Sequence, residues 1–278
     1  MPQSRLDVEA IVSEIMQSPK YKDRPIARET VRDLVVMELG HYKKEKDLVK
    51  AVRKKLHRIV AAYLGDPDYA AATLELSRAA DSGSADQLRE ACARLLEVHL
   101  STRERLPIYD QFYAGIFEVT GRPSSLMDVA CGLNPLSFPW MRLPATTRYY
   151  AYDINQQRVD LLNHAFVLQG LAPLARVQDV LVEPPCEQAD VAFLFKEVHR
   201  LEARQRGSSL RLLEALPVRW IAVSLPAQSS GGHHDLRDRH RQLMAGIVAG
   251  QPWASTELEF ESELVFCIDK LSDGLPAA

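Results

Sequence analysis

Three acidic residues and one glycine turn carry most of the chemical information in this sequence. Asp128-Val-Ala-Cys-Gly-Leu-Asn-Pro135 follows a short apolar run, Tyr152-Asp153-Ile154 ends a second, and Asp179 follows a third around Arg176–Gln178. If these runs are parallel strands, all three carboxylates stand at strand tips, the edge where an open α/β sheet binds its ligand. Gly132 lets backbone approach a ligand closely. A single glycine is not GxGxxG, and no GxxxxGK[ST] loop is present, so phosphate-bearing nucleotides are poorly served. Asp153, 21 residues beyond Gly132, is placed to accept from a ribose diol, and Asp179 from an exocyclic adenine amine. Asp128 can hold the loop or, through water, a ligand ammonium. Taken singly, such acids can equally be helix N-caps. Together they favour an adenosine-type ligand without phosphates. S-adenosylmethionine fits that description, because acidic walls suit its sulfonium and ammonium charges.

Other residues invite weaker readings. In His99-Leu-Ser-Thr-Arg-Glu-Arg105, Arg103 and Arg105 flank Glu104. They are either a solvated cluster or a guanidinium fork for a ligand carboxylate. Cys131 is a small residue in a tight turn with no histidine assignable to it, so it is not read as a nucleophile. His233, His234 and His240 show no ligand spacing, and no metal is expected.

His41–Val60 holds eight basic and two acidic residues, a local net of +6 in a chain whose total is −3. At helical spacing Leu48, Val52, Leu56, Ile59 and Tyr63 share one face, and Lys43, Lys46, Lys50, Arg53, Lys54 and Arg58 spread over the other. Lys55 is the exception. Such a face can be merely solvated or can lie on a membrane. The clustering against an acidic background, and a stripe without Trp, favour contact with a phosphate backbone.

The length of 278 residues allows one large domain or two smaller ones. With 46% apolar and 26% charged residues, this is the profile of a soluble globular protein. No apolar run approaches a membrane helix, and the start lacks a signal layout. Four cysteines stand far apart without CxxC spacing, which suggests a reduced, cytoplasmic setting.

Helical patterns fill the first hundred residues. They include Leu6–Met16, a helix from Pro25 to Leu39, an N-cap at Asp66 before Pro67, and a capping box at Ser84 and Gln87. Strands are expected at Leu126–Ala130, Tyr149–Ile154, Ala189–Phe195 and Trp220–Leu225. Helices are expected at Gln156–Gln169, Glu202–Ala215 and Leu236–Ala249. Thr256–Glu263 and Leu264–Lys270 leave no room for a crossover and should form an antiparallel edge hairpin. The expected fold is α/β: a class I methyltransferase layout, or another doubly wound sheet, in residues 101–278, behind an all-helical domain in residues 1–100.

These segments resemble the aminoglycoside-resistance 16S rRNA methyltransferases of the Arm/Rmt family. The carriers are Tyr42-Lys-Lys-Glu-Lys-Asp47 with Lys55-Leu-His57, His99–Arg105, Asp128–Pro135, Tyr152-Asp-Ile154, Leu194-Phe-Lys196 and Ser224-Leu-Pro226. The resemblance implies a seven-stranded class I fold and S-adenosylmethionine as methyl donor. It implies transfer to N-7 of a decoding-site guanine in 16S rRNA within the 30S subunit, and a helical domain that docks on rRNA. Carried over by position, His99, Ser101 and Arg105 would hold the donor's methionine end, and Tyr63 and Leu100 would also lie along the donor. Ala130 and Gly132 would line its floor, Asp153 would take the ribose, and Asp179 with Val180 the adenine. Phe195 would pack on the cofactor, and Lys196, the catalytic candidate, would face the target guanine. The protein is expected to be a monomer. Two stretches depart from the family pattern, Glu197-Val-His199 and Ala227–Arg237, both at tips where a target base would enter. Two other readings of the same residues are a class I enzyme acting on a different RNA site or a small molecule, and a non-catalytic rRNA-binding protein.

Overall fold

The short apolar runs become strands because residues such as Leu126, Val191 and Ile221 fill a sheet buried on both faces. The computed structural model describes residues 6–22, 26–60, 66–229 and 234–271. Its strands are β1 (Ser125–Val129), β2 (Arg148–Asp153), β3 (Ala175–Val177), β4 (Ala189–Phe195), β5 (Val218–Pro226), β6 (Ala254–Glu259) and β7 (Glu263–Asp269). They form one sheet in the order β3-β2-β1-β4-β5-β7-β6. The first five are parallel, and β7 pairs antiparallel with both β5 and β6. This is the class I methyltransferase topology. Strand order reverses between β1 and β4, so the crevice for a ligand opens over those two tips.

The hairpin differs from expectation by a few residues. Glu263, expected to end the first strand, opens β7, because the Phe260 amide donates to the Glu263 carbonyl at 2.8 Å and closes the turn there. β6 forms the mostly exposed edge, while every residue of β7 is buried between its neighbours.

In front of the sheet come α1 (Val8–Met16), α2 (Arg28–Leu39), α3 (Glu45–Val60), α4 (Tyr69–Asp81), α5 (Ala85–Leu96), α6 (Leu100–Arg105) and α7 (Tyr109–Thr120). Ile11, Ile15, Leu34, Leu48 and Val52 close a separate core among α1, α2 and α3. By contrast Leu76, Leu95 and Leu96 share one core with Tyr149, Phe166 and Phe193 of the sheet layer. The expected domain boundary at residue 100 therefore does not coincide with a break in packing. The cores part between α3 and α4. The expected helix start at Pro25 lies outside the described residues. Ser84 caps α5 as expected, accepting the Gln87 amide. The cap expected at Asp66 is instead Asp68, which accepts the Ala71 amide at 3.0 Å.

The crossover helices are α8 (Phe138–Met141), α9 (Gln156–Leu168), α10 (Val198–Arg204), α11 (Ser208–Ala215) and α12 (Arg237–Val248). The single helix expected over Glu202–Ala215 is two. Gly207 adopts φ +76°, a left-handed conformation that suits glycine. The Glu202 carboxylate fixes the break by accepting the Gly207 and Ser209 amides at 2.8 and 2.9 Å.

Candidate functional site

A cavity of about 260 Å³ opens over the carboxyl ends of β1, β2 and β4. Ala130, Asp153, Asp179 and Val180 line it, so four of the expected cofactor residues meet in one place. Two tips are held in unusual backbone: Ala130 after β1 has φ +53° and Lys196 after β4 has φ +59°. Non-glycine residues bear such angles at a cost of about 1–2 kcal/mol, and they recur where a ligand is clamped.

The acids on the wall are ion-paired. The Asp153 carboxylate accepts from Arg158 Nη1 at 2.8 Å, from the Gly132 amide at 3.1 Å and from the Asn155 amide at 2.9 Å. The other arm of Arg158 reaches Asp66 at 2.7 Å. Burial works to raise the Asp66 pKa, but the His99 bond and the Arg158 charge hold it well below the usual range. Asp179 accepts from Arg204 at 2.7 Å, and the same guanidinium bonds Asp33 of α2 at 2.7 Å. The Asp179 amide donates to Glu29 of α2. The acidic wall expected from the sequence is thus not bare: Arg158 bridges Asp153 and Asp66, and Arg204 bridges Asp179 and Asp33. The helices of the first core roof it, with Lys55, Arg58 and Ile59 of α3 on the cavity.

Beneath the Gly132 loop, Asp128 is 1% exposed and does what was expected of it as a loop anchor. Its Oδ2 accepts from Asn134 Nδ2 at 2.8 Å and from the Tyr149 hydroxyl at 2.9 Å. Its Oδ1 is buried with no hydrogen-bond partner among the described residues. Burial pushes its pKa up to about 7 against the opposing pull of those two bonds. An unsatisfied buried acceptor of this kind fits a ligand ammonium reached directly or through water. A Cβ on Gly132 would stand 3.9 Å from His99 Nδ1, which places His99 against the same loop. Together with the Asp153 tip, these residues fit an adenosylmethionine donor.

The rest of the expected set forms a second, neighbouring cluster. Arg105 is fully buried, and its fork is closed on Glu263 at 2.8 and 2.9 Å, with Nη1 on Asn134 at 2.8 Å. It was expected to grip a ligand carboxylate; here it braces the Asn134 turn and the start of β7. Lys196 was expected to face a target base. Its ammonium is turned inward, 2.7 Å from Glu104 and 3.1 Å from Glu263, and it donates to the Ser101 carbonyl at 3.5 Å. Phe195 lies among Phe193 and Phe112, at centroid distances of 4.7 and 5.2 Å, and carries the Arg105 guanidinium on its face. It packs in the core rather than on the cavity. Leu100 is exposed, and Tyr63 lies outside the described residues.

On α3, Lys46, Lys50, Lys54 and Arg58 are exposed, as is Lys43 just before it, while Leu48, Val52 and Leu56 are buried. Arg53 departs from the expected face: it is half-buried and paired with Glu14 at 3.2 Å. Lys55, the exception in the pattern, bonds Glu38 at 2.5 Å. His240 donates its ring Nδ1–H to the Pro226 carbonyl at 2.8 Å, and so helps fix the end of β5.

Sequence reasoning missed Asp66, Arg158, Arg204 and Glu263. Only Asp66 carried a signal, and as an expected N-cap it pointed elsewhere.

Known proteins of the same fold resemble the whole chain. Residues 17–267 match the model of a family described as ribosomal RNA methyltransferase (FmrO). A 16S rRNA (guanine(1405)-N(7))-methyltransferase of Micromonospora echinospora is 33% identical, over 97% of this chain and 98% of its own. One of the same description from Serratia marcescens is 32% identical over 95% and 99%. Among solved structures, the 16S rRNA methyltransferase RmtF in complex with S-adenosyl-L-homocysteine superposes with a TM-score of 0.79 at 29% identity, covering 96% of this chain and 98% of that one. The 16S rRNA methylase RmtB gives 0.78 at 29%, over 95% and 98%.

Proposed function

The chain belongs to the FmrO family of ribosomal RNA methyltransferases, and we propose that it transfers a methyl group from S-adenosylmethionine to N-7 of guanine 1405 in 16S rRNA. The observation that carries this reading is the joining of Asp153, Asp179, Val180 and Ala130 on one cavity over the β1–β4 crevice. We take the cytoplasmic 30S subunit as substrate, a monomer as the working form and aminoglycoside resistance as the consequence.

Guanine N-7 carries an in-plane lone pair at neutral pH, so no proton has to leave before attack and no general base is required. S-adenosylmethionine, when bound, supplies an electrophilic methyl group on a sulfonium. The protein's part is alignment and exclusion of water. Asp153, fixed by Arg158 and the Gly132 amide, orients a ribose. Asp179 and Val180 hold the base, and Asp128 Oδ1 receives the ammonium end. Lys196 acts as a positioning residue: its bonds to Glu104 and the Ser101 carbonyl tie the β4 tip to α6. The exposed cations of α3 contact phosphates, which offsets the few kcal/mol needed to unstack a guanine from a folded rRNA helix.

The test is incubation of purified 30S subunits with the protein and S-adenosylmethionine, followed by primer extension and mass spectrometry. A 7-methylguanine at the stated position supports the reading. Unmodified rRNA, or methylation at another nucleotide, overturns it.

A further inference from the structure

One wall residue of the cavity is not used by the mechanism above. Glu197 follows the β4 tip directly, is 7% exposed, and lines the cavity together with Ala130 and Asp153. Strands β1 and β4 pair in register, with Asp128 opposite Phe193. Continued along the strands, that register puts Ala130 opposite Phe195, two residues before Glu197. On the proposed placement, with the ribose on Asp153 and the methionine end toward His99 and Gly132, the donor's sulfur would fall between them, beside the β1 tip.

We propose that Glu197 is a specificity-determining residue that favours the cationic sulfonium donor over its neutral thioether product by charge. This inference rests on the adenosylmethionine reading of the cavity. The carboxyl is buried in the wall of the cavity that Ala130 also lines, so an attraction to a sulfonium there would act through little solvent. Methyl transfer removes the positive charge, and with it the attraction, which promotes product exchange.

Other charges face the same space. Lys55 and Arg58 come from α3, Arg158 from α9, and Arg200 and Arg204 from α10. The carboxylates are Asp66, Asp153 and Asp179, the first two held by Arg158 and the third by Arg204. Arg200 Nη1 lies 3.7 Å from Glu197 Oε1. Burial nevertheless outweighs the Arg200 charge and pushes the Glu197 pKa up to about 8. At neutral pH the entering sulfonium therefore shifts the carboxyl toward its ionised form, and the released proton goes to solvent.

The experiment is calorimetric titration of the full chain with S-adenosylmethionine and with S-adenosylhomocysteine at neutral pH, in two buffers of different ionisation enthalpy. Both ligands carry the ammonium group that approaches Asp128, so that contribution cancels in the comparison. Wild type should release more protons with the sulfonium ligand than with the thioether. Glu197→Gln should abolish that difference and lower the donor-to-product affinity ratio by roughly tenfold, the scale of one unit charge at cavity distance in a protein interior. Equal proton release for the two ligands in wild type overturns the inference without any variant. An unchanged affinity ratio in Glu197→Gln also overturns it, while binding of both ligands leaves the cofactor reading standing. Failure of wild type to bind either ligand overturns both.

Discussion

Arg158 Nη1 lies 2.8 Å from Asp153 Oδ2, so the acid proposed to take the ribose is itself oriented by a buried cation. The same guanidinium spans to Asp66, 92 positions earlier in the chain. Arg158→Ala leaves both carboxylates facing a cavity without their common partner. A loss of about 3–5 kcal/mol of stability is expected, as when one member of a buried ion pair is removed. Denaturant unfolding checks this. Arg158→Lys keeps the charge but not the fork, so it should recover part of the stability and little of the donor affinity.

Arg105 and Glu263 form the second such pair, 158 positions apart and both fully enclosed. Burial works to raise the Glu263 pKa, yet Arg105 and Lys196 pull it below the usual range. A carboxyl lowered on folding stabilises the protein above its ordinary pKa, and that stability is lost as the pH falls through the lowered value. Glu263→Gln should therefore destabilise at pH 7, and the gap from wild type should narrow under acid. Melting temperatures at pH 7 and pH 4 test the sign. Replacing both partners, as Arg105→Met with Glu263→Leu, should cost less than either single change, because no charge is left unpaired.

The exposed cations of α3 and of the turn before it should matter only with RNA present. Reversing Lys43, Lys46 and Lys50 to glutamate should abolish methylation of 30S and leave S-adenosylmethionine affinity unchanged. Each phosphate contact removed should also flatten the dependence of RNA affinity on salt by about one unit of slope. Arg53→Ala should have a smaller effect on RNA binding, because Glu14 already holds that guanidinium. Binding isotherms across a salt series separate these outcomes.

The parts of the site that the sequence exposed are those fixed by local rules. Buried strands read as apolar runs, Asp153 and Asp179 follow them at the tips, and the α3 stripe is legible at helical spacing. The partners that make those acids usable were illegible for a physical reason. Arg158 reaches Asp66 across 92 positions, Arg204 reaches Asp33 across 171, and Arg105 reaches Glu263 across 158. Nothing in the spacing of a lone charged residue says which distant charge it will meet once the chain folds. The split between α10 and α11 was hidden differently, since Gly207 sits inside an otherwise helical pattern and is a break only because Glu202 caps it.

Asp128 joins stability to ligand binding. Burial raises its pKa to about 7, from an ordinary 3.8. A carboxyl raised on folding contributes stability that is fully present below its ordinary pKa and is lost as the pH climbs through the raised one. Wild type should therefore lose stability between about pH 4 and pH 7, by at most about 1.4 kcal/mol per pH unit. Asp128→Asn, which keeps an acceptor for Tyr149 and cannot ionise, should remove that slope. An ammonium group of a bound donor that reached Oδ1, as proposed, would stabilise the ionised form. Saturating S-adenosylhomocysteine should then flatten the wild-type slope and leave the Asp128→Asn curve parallel to its unliganded one. Thermal melts at pH 5 and pH 8, with and without ligand, decide it: a ligand that shifts both proteins equally at both pH values would place the ammonium elsewhere.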